Sequence, residues 1–170
     1  MNLRHRSYQK ELLDEDDIPF DDIRRNMHEL NVINTWLGGH RITIKGFQNL
    51  WGGEKSVTVC EIGSGGGDNL AAIYKWCSKK NIGLQCIGID IKKECIEAAK
   101  ENTILPQNSV WIQSDYKTVQ FNDKPDIIFS SLFCHHFTEK ELQQQLQWMK
   151  ANSRVGFFIN DLHRHVLAYY

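Results

Sequence analysis

The sequence predicts an α/β fold, a doubly wound parallel sheet of about five strands with helices on both faces. Two observations carry this reading. Short runs rich in β-branched and aromatic residues, at 57–62, 84–90, 110–112, within 125–137 and at 155–159, are separated by stretches of helical spacing. Glu61, Asp90, Asp115, His135 and Asp161 fall at or just beyond the ends of those runs, the edge where open parallel sheets bind ligands.

The elements follow in order. A charged segment leads into Asp16, Asp17, Ile18, Pro19 and Phe20, acids and an early proline at a helix start. Ile23, Met27, Leu30, Ile33 or Asn34, and Leu37 continue at helical spacing, and Gly38-Gly39 ends the helix. A second short helix or turn spans 40–50. The run 57–62 then enters Gly63, Ser64, Gly65, Gly66, Gly67 and Asp68, with Leu70, Ile73, Tyr74 and Cys77 spaced for a helix. Glycines there permit a tight turn and close backbone approach to a ligand at a helix N-terminus. The second run closes on Asp90, whose carboxylate can accept from two neighbouring ribose hydroxyls. The third leads to Ser114, Asp115 and Tyr116, and the fourth passes from Ser130 into a polar and aromatic stretch with His135 and His136. Thr138 and Glu141 make a capping box, and Leu142, Leu146 and Met149 mark the buried face of the helix behind it. After the fifth run come Asn160, Asp161, His163 and His165.

The spacing E-x-G-x-G-x-G, read as Glu61, Gly63, Gly65 and Gly67, resembles the first motif of class I S-adenosylmethionine-dependent methyltransferases. An NAD-dependent oxidoreductase is the competing reading, but its fingerprint needs glycine or alanine where Asp68 stands. Glu61 and Asp68 would also repel a pyrophosphate, whereas a zwitterionic methionine offers an ammonium to a carboxylate and a carboxylate to backbone N–H groups. The resemblance implies S-adenosyl-L-methionine as cofactor and a Rossmann-like core over 53–170 beneath an N-terminal helical lid over 1–52. It implies cofactor contacts from Glu61, Gly63, Ser64, Gly65, Gly67, Asp90, Ile91, Asp115, Tyr116 and Ser130. The segment 34–41 resembles small bacterial methyltransferases of the ubiquinone and menaquinone type, which puts Trp36 to Arg41, Gly39 among them, near the methionine end, with Arg41 a candidate for its carboxylate. That branch implies a small-molecule acceptor with an aromatic or quinone-like hydroxyl. Family members add a sixth and a seventh strand after the fifth, so the chain is expected either to be a truncated piece or to complete its sheet by pairing the edge of the fifth strand with another copy in a homo-oligomer. A shortened end also keeps open a third reading, a non-catalytic S-adenosylmethionine-binding module.

A hydroxyl acceptor must lose a proton, and histidine is the usual agent near neutrality. Among the histidines at the strand exits, His136 and His163 are the leading base candidates, with Asp161 orienting them. No metal requirement is expected, because adjacent His135 and His136 diverge and no carboxylate cluster accompanies them. The five cysteines show no C-x-x-C spacing and read as small buried hydrophobes. Twenty basic against twenty-one acidic residues in 170 give a net charge of −1, which disfavours nucleic acid as a partner. No apolar run has signal-peptide or membrane-span length, and a cytoplasmic location is expected.

Overall fold

Short apolar runs set the strands, and polar residues or a glycine lie at their carboxyl ends. The computed structural model describes residues 19–161 and contains β1 (Ser56–Ile62), β2 (Gly83–Asp90), β3 (Val110–Gln113), β4 (Ile127–Ser131) and β5 (Gly156–Asn160). They form one sheet in the order β3-β2-β1-β4-β5, with every neighbouring pair parallel. The expected α/β class is therefore found, with strands on the expected runs. The order reverses between β1 and β4, where Ile62 pairs with Ser130. That reversal opens a crevice beyond the strand carboxyl ends, because the connections on its two sides leave in opposite directions.

Helices α1 (Phe20–Trp36), α2 (Gly39–Leu50), α3 (Asp68–Lys79), α4 (Lys93–Lys100) and α5 (Glu139–Asn152) complete the described chain. Strand alternation divides the core into two layers. Val57, Val59, Cys86, Ile127 and Phe129 pack with Phe47 of α2 and with Leu70, Ile73 and Cys77 of α3. Cys60, Ile62, Ile89 and Ile128 pack on the opposite face with Tyr116 and with Met149 of α5.

The capping box at Thr138 and Glu141 is present, with the Thr138 N–H donating to Glu141 Oε2 at 2.8 Å. The buried face of α5 differs from expectation. Its fully buried members are Gln145 and Met149, while Leu142 and Leu146 are half-buried. Gln145 Oε1 accepts from the Cys134 thiol at 3.3 Å, while Nε2 has no partner among the described residues. The stripe expected on α1 is also only partly covered. Ile23 is buried and Met27 lies over the glycine loop, but Ile33 and Leu37 are exposed. Among the described residues, no helix is long and apolar enough to cross a membrane.

Candidate functional site

A cavity of about 760 Å³ occupies the crevice. Its floor is the loop after β1, which runs through positive φ at Gly63 (66°), Gly65 (49°) and Gly67 (74°) before entering α3. Only glycine adopts this succession of left-handed turns without strain. A Cβ on Gly63 would stand 2.5 Å from the Phe133 ring, so the loop and the stretch after β4 are in direct contact. Leu132 itself takes φ 51°, a conformation that β4 and β5 impose by accepting its N–H at the Asn160 carbonyl (2.9 Å).

Asp90 ends β2 and holds the loop from the side. Its Oδ2 accepts from the Gly65 N–H and its Oδ1 from the Lys92 N–H, both at 2.9 Å. Each oxygen keeps a lone pair for a further donor. Burial raises the Asp90 pKa, against which these N–H groups and the Lys92 charge act.

Glu61 is 1% exposed at the end of β1. Its Oε1 accepts from Asn69 Nδ2 at 3.2 Å, while Oε2 has no partner among the described residues. A buried relay extends from there. Thr43 Oγ1 donates to Asn69 Oδ1 (3.0 Å), and Asn160 Nδ2 donates to Thr43 Oγ1 (3.0 Å) and to Ser131 Oγ (3.2 Å). The relay fastens α2 to the floor of the cavity. Burial, followed by the charges of Asp68 and Asp90, pushes the Glu61 pKa well above the usual carboxylate range.

A stability prediction follows from that shift. The native state keeps the Glu61 proton at pH values where the unfolded chain has released it, so this residue's contribution declines as pH rises above the ordinary glutamate range. Glu61→Gln should therefore melt at a higher temperature than the parent protein at pH 8, and the gap should narrow towards pH 5. Thermal denaturation by circular dichroism at several pH values checks both points, and a variant that melts lower at pH 8 would contradict them.

Two Asp–His pairs flank the cavity. Asp161 Oδ1 meets His135 Nδ1 at 2.8 Å, and its Oδ2 accepts the His135 backbone N–H at 3.0 Å. On the α2 side, Asp68 Oδ2 meets His40 Nε2 at 2.8 Å and accepts from Asn34 Nδ2 at 3.3 Å. The His135 and His136 rings lie 4.2 Å apart, and Phe133 packs edge-on against Phe137 and Tyr116.

Most of the expected site residues come together here. Glu61, Gly63, Ser64, Gly65, Asp90, Ile91, Asp115, Tyr116, Gly39, His136 and Asp161 all line the cavity. Ser130 does not, because it is fully buried behind Ser131, with its hydroxyl 3.4 Å from Cys134 Sγ. Gly67 lies beneath the loop against Trp111, and Arg41 is exposed on α2 away from the lining. His163 lies outside the described residues. Asp161 pairs with His135. The sequence places His135 at the edge without singling it out, reads Asp68 only as a charge beside the loop, and gives no role to Asn69, Asn160 or Phe133. For Asp68 the available signal was its position at the first turn of α3, immediately after the glycines. Asp115 also makes the local turn, accepting from the Lys117 N–H at 3.0 Å.

The comparisons agree with this geometry. A family model described as a methyltransferase domain matches residues 59–156. No curated protein is significantly similar to the chain in sequence. Among solved structures, a Methanococcus maripaludis protein assigned as an S-adenosyl-L-methionine-dependent methyltransferase superposes with TM-score 0.58 at 18% identity, over 86% of this chain and 66% of that one. Human N-acetylserotonin methyltransferase, solved with S-adenosylmethionine, gives TM-score 0.63 at 13% identity, over 83% and 38%. The plantazolicin methyltransferase BpumL, solved with S-adenosylhomocysteine, gives 0.55 at 25% identity, over 79% and 50%. The chain thus spans less than two thirds of the length of each of these structures.

Proposed function

The chain belongs to the methyltransferase domain family, and we propose that it transfers the methyl group of S-adenosyl-L-methionine to a small-molecule acceptor carrying an aromatic or quinone-like hydroxyl. The observation that carries the cofactor half is the set of polar atoms left over in the cavity. Glu61 Oε2 and Ser64 Oγ are buried, line the cavity and have no partner among the described residues. A buried polar atom of this kind is costly unless a ligand completes it.

The residues fit the cofactor by chemistry. Glu61 suits its ammonium, the N–H groups of the glycine loop its carboxylate, Asp90 its ribose hydroxyls and Asp115 its adenine amine. The cofactor supplies an electrophilic methyl on a sulfonium. This chain's residues then have two tasks, to align the acceptor and to take its proton. His135 takes the proton in this reading. Asp161 at Nδ1 holds the ring in one tautomer and makes Nε2 the basic nitrogen. Met27 and Phe133, with Ile33 and Leu37 exposed at the mouth, make an apolar lining that favours a flat, weakly polar acceptor. Helices α1 and α2 act as the lid over that lining. The quinone-like reading of the acceptor rests on the resemblance of 34–41.

Calorimetric titration with S-adenosylhomocysteine and, separately, NAD tests the cofactor without needing an acceptor. Saturable binding of the first alone is expected, and binding of NAD alone would refute the reading. Asp90→Ala should weaken the S-adenosylhomocysteine complex by about 1.5–3 kcal/mol, the usual worth of hydrogen bonds to a charged group. Unchanged affinity in the folded variant would remove Asp90 from the ribose site.

A further inference from the structure

Among the described residues, the turn joining α1 to α2 is apolar and uncovered. Trp36 is 84% and Leu37 81% exposed, and Val32, Ile33 and Ile42 are each more than 40% exposed around them. Gly38 makes the turn at φ 83°, which any polar pair of neighbours would serve equally well. Most of the large exposed apolar side chains of the described residues are gathered at this one tip, while Ile91, Ile104, Val110 and Val155 lie elsewhere in the chain. Such a gathering marks a contact surface.

Charge selects the partner. Between Glu29 and Glu54 the sequence has no carboxylate, in a chain whose net charge is −1. Arg41 and Lys45 are exposed one helical turn apart on α2, beside Ile42 and opposite the buried Thr43 and Phe47. A tryptophan and aliphatic side chains bordered by cations, with no carboxylate in their own segment and the adjoining Asp68 held by His40 and Asn34, are the composition of a segment that rests on anionic headgroups. The patch is also continuous with the cavity, because Ile33, Leu37 and Ile42 belong to both.

We propose that this helical tip is a lipid-docking surface, which seats on an anionic bilayer with Trp36 and Leu37 inserted and the apolar mouth of the cavity turned towards the acyl chains. An acceptor dissolved in the bilayer then reaches the cavity along Leu37, Ile33 and Ile42. The acceptor path rests on the methyltransferase reading, whereas the docking does not.

The test is flotation of the full chain with vesicles of phosphatidylcholine alone and of phosphatidylcholine mixed with phosphatidylglycerol, at low and high salt. Binding to the mixed vesicles that weakens in salt is expected. Trp36→Ser and Lys45→Glu should each lower the bound fraction about five-fold or more, the worth of one interfacial charge or anchor. Both side chains lie outside the cavity lining, so the melting temperature and S-adenosylhomocysteine affinity should stay at parental values in both variants. Flotation that is absent with both vesicle types, or undiminished in both variants, would overturn the proposal. So would light scattering that finds the protein self-associated without vesicles and monomeric as Trp36→Ser, since the tip would then be a protein contact. Flotation as expected, in a protein that does not bind S-adenosylhomocysteine, would support the docking and overturn the cofactor reading alone.

Discussion

Asp161→Asn and His135→Asn should each lower turnover of a hydroxyl acceptor by about 10²–10⁴-fold, the usual worth of a positioned general base, while S-adenosylhomocysteine still binds. The carboxylate of Asp161 accepts both from the His135 backbone and at its Nδ1. An asparagine amide in its place can donate to Nδ1, which stabilises the tautomer that presents Nε2 as a donor and not as a base. The two variants therefore fail for related reasons but leave different signatures. His135→Asn removes the acidic limb of the pH–rate profile, because the group that must be deprotonated is gone. Asp161→Asn keeps a limb and displaces it. In both, kcat should fall far more than KM rises, since neither change touches the cofactor loop. Full turnover in both folded variants would exclude the pair and return the role to His136 or His163.

The fold was legible because its determinants are local. Each strand is a short apolar run, several of them closed by glycine or acid, and a few neighbouring residues suffice to show it. The cofactor side of the site was legible for the same reason, since Glu61, Gly63, Gly65 and Asp90 sit at strand ends whose positions the runs define. The His135–Asp161 pair was not. Those residues lie 26 positions apart and meet because β4 and β5 pair with Ser131 opposite Asn160, a register that neither segment encodes alone. The relay from Glu61 through Asn69, Thr43 and Asn160 was invisible likewise, as it draws on α2, α3 and β5 together. Periodicity failed differently at α1. It identified an apolar stripe, and the stripe exists, but spacing cannot say how far along the helix a partner extends. Cover ends near Met27, where α1 crosses Gly65 and Gly66. Beyond that point the same stripe faces outward at Ile33 and Leu37.

Gly63→Val should destabilise the protein by about 2–5 kcal/mol and abolish S-adenosylhomocysteine binding, because two independent penalties meet at one atom. The first is conformational. Gly63 sits at φ 66°, where a Cβ crowds the backbone and a β-branched side chain is worst tolerated. The second is steric. A Cβ there would lie 2.5 and 2.7 Å from atoms of the Phe133 ring, and that ring is itself held edge-on by Tyr116 and Phe137. Phe133 cannot yield without moving the segment that carries Cys134, His135 and His136, so damage at the loop is transmitted to the proposed base. Gly66→Ala is the matched control. Gly66 has no positive φ, and the nearest atom to an added Cβ is Met27 Cβ at 3.8 Å, ordinary van der Waals contact. Its melting temperature and S-adenosylhomocysteine affinity should remain close to those of the parent. Chemical denaturation and calorimetry on the two variants separate a loop whose first glycine is obligatory from one that merely tolerates glycine. Equal behaviour of the pair would mean that the contact between Gly63 and Phe133 does not organise the site.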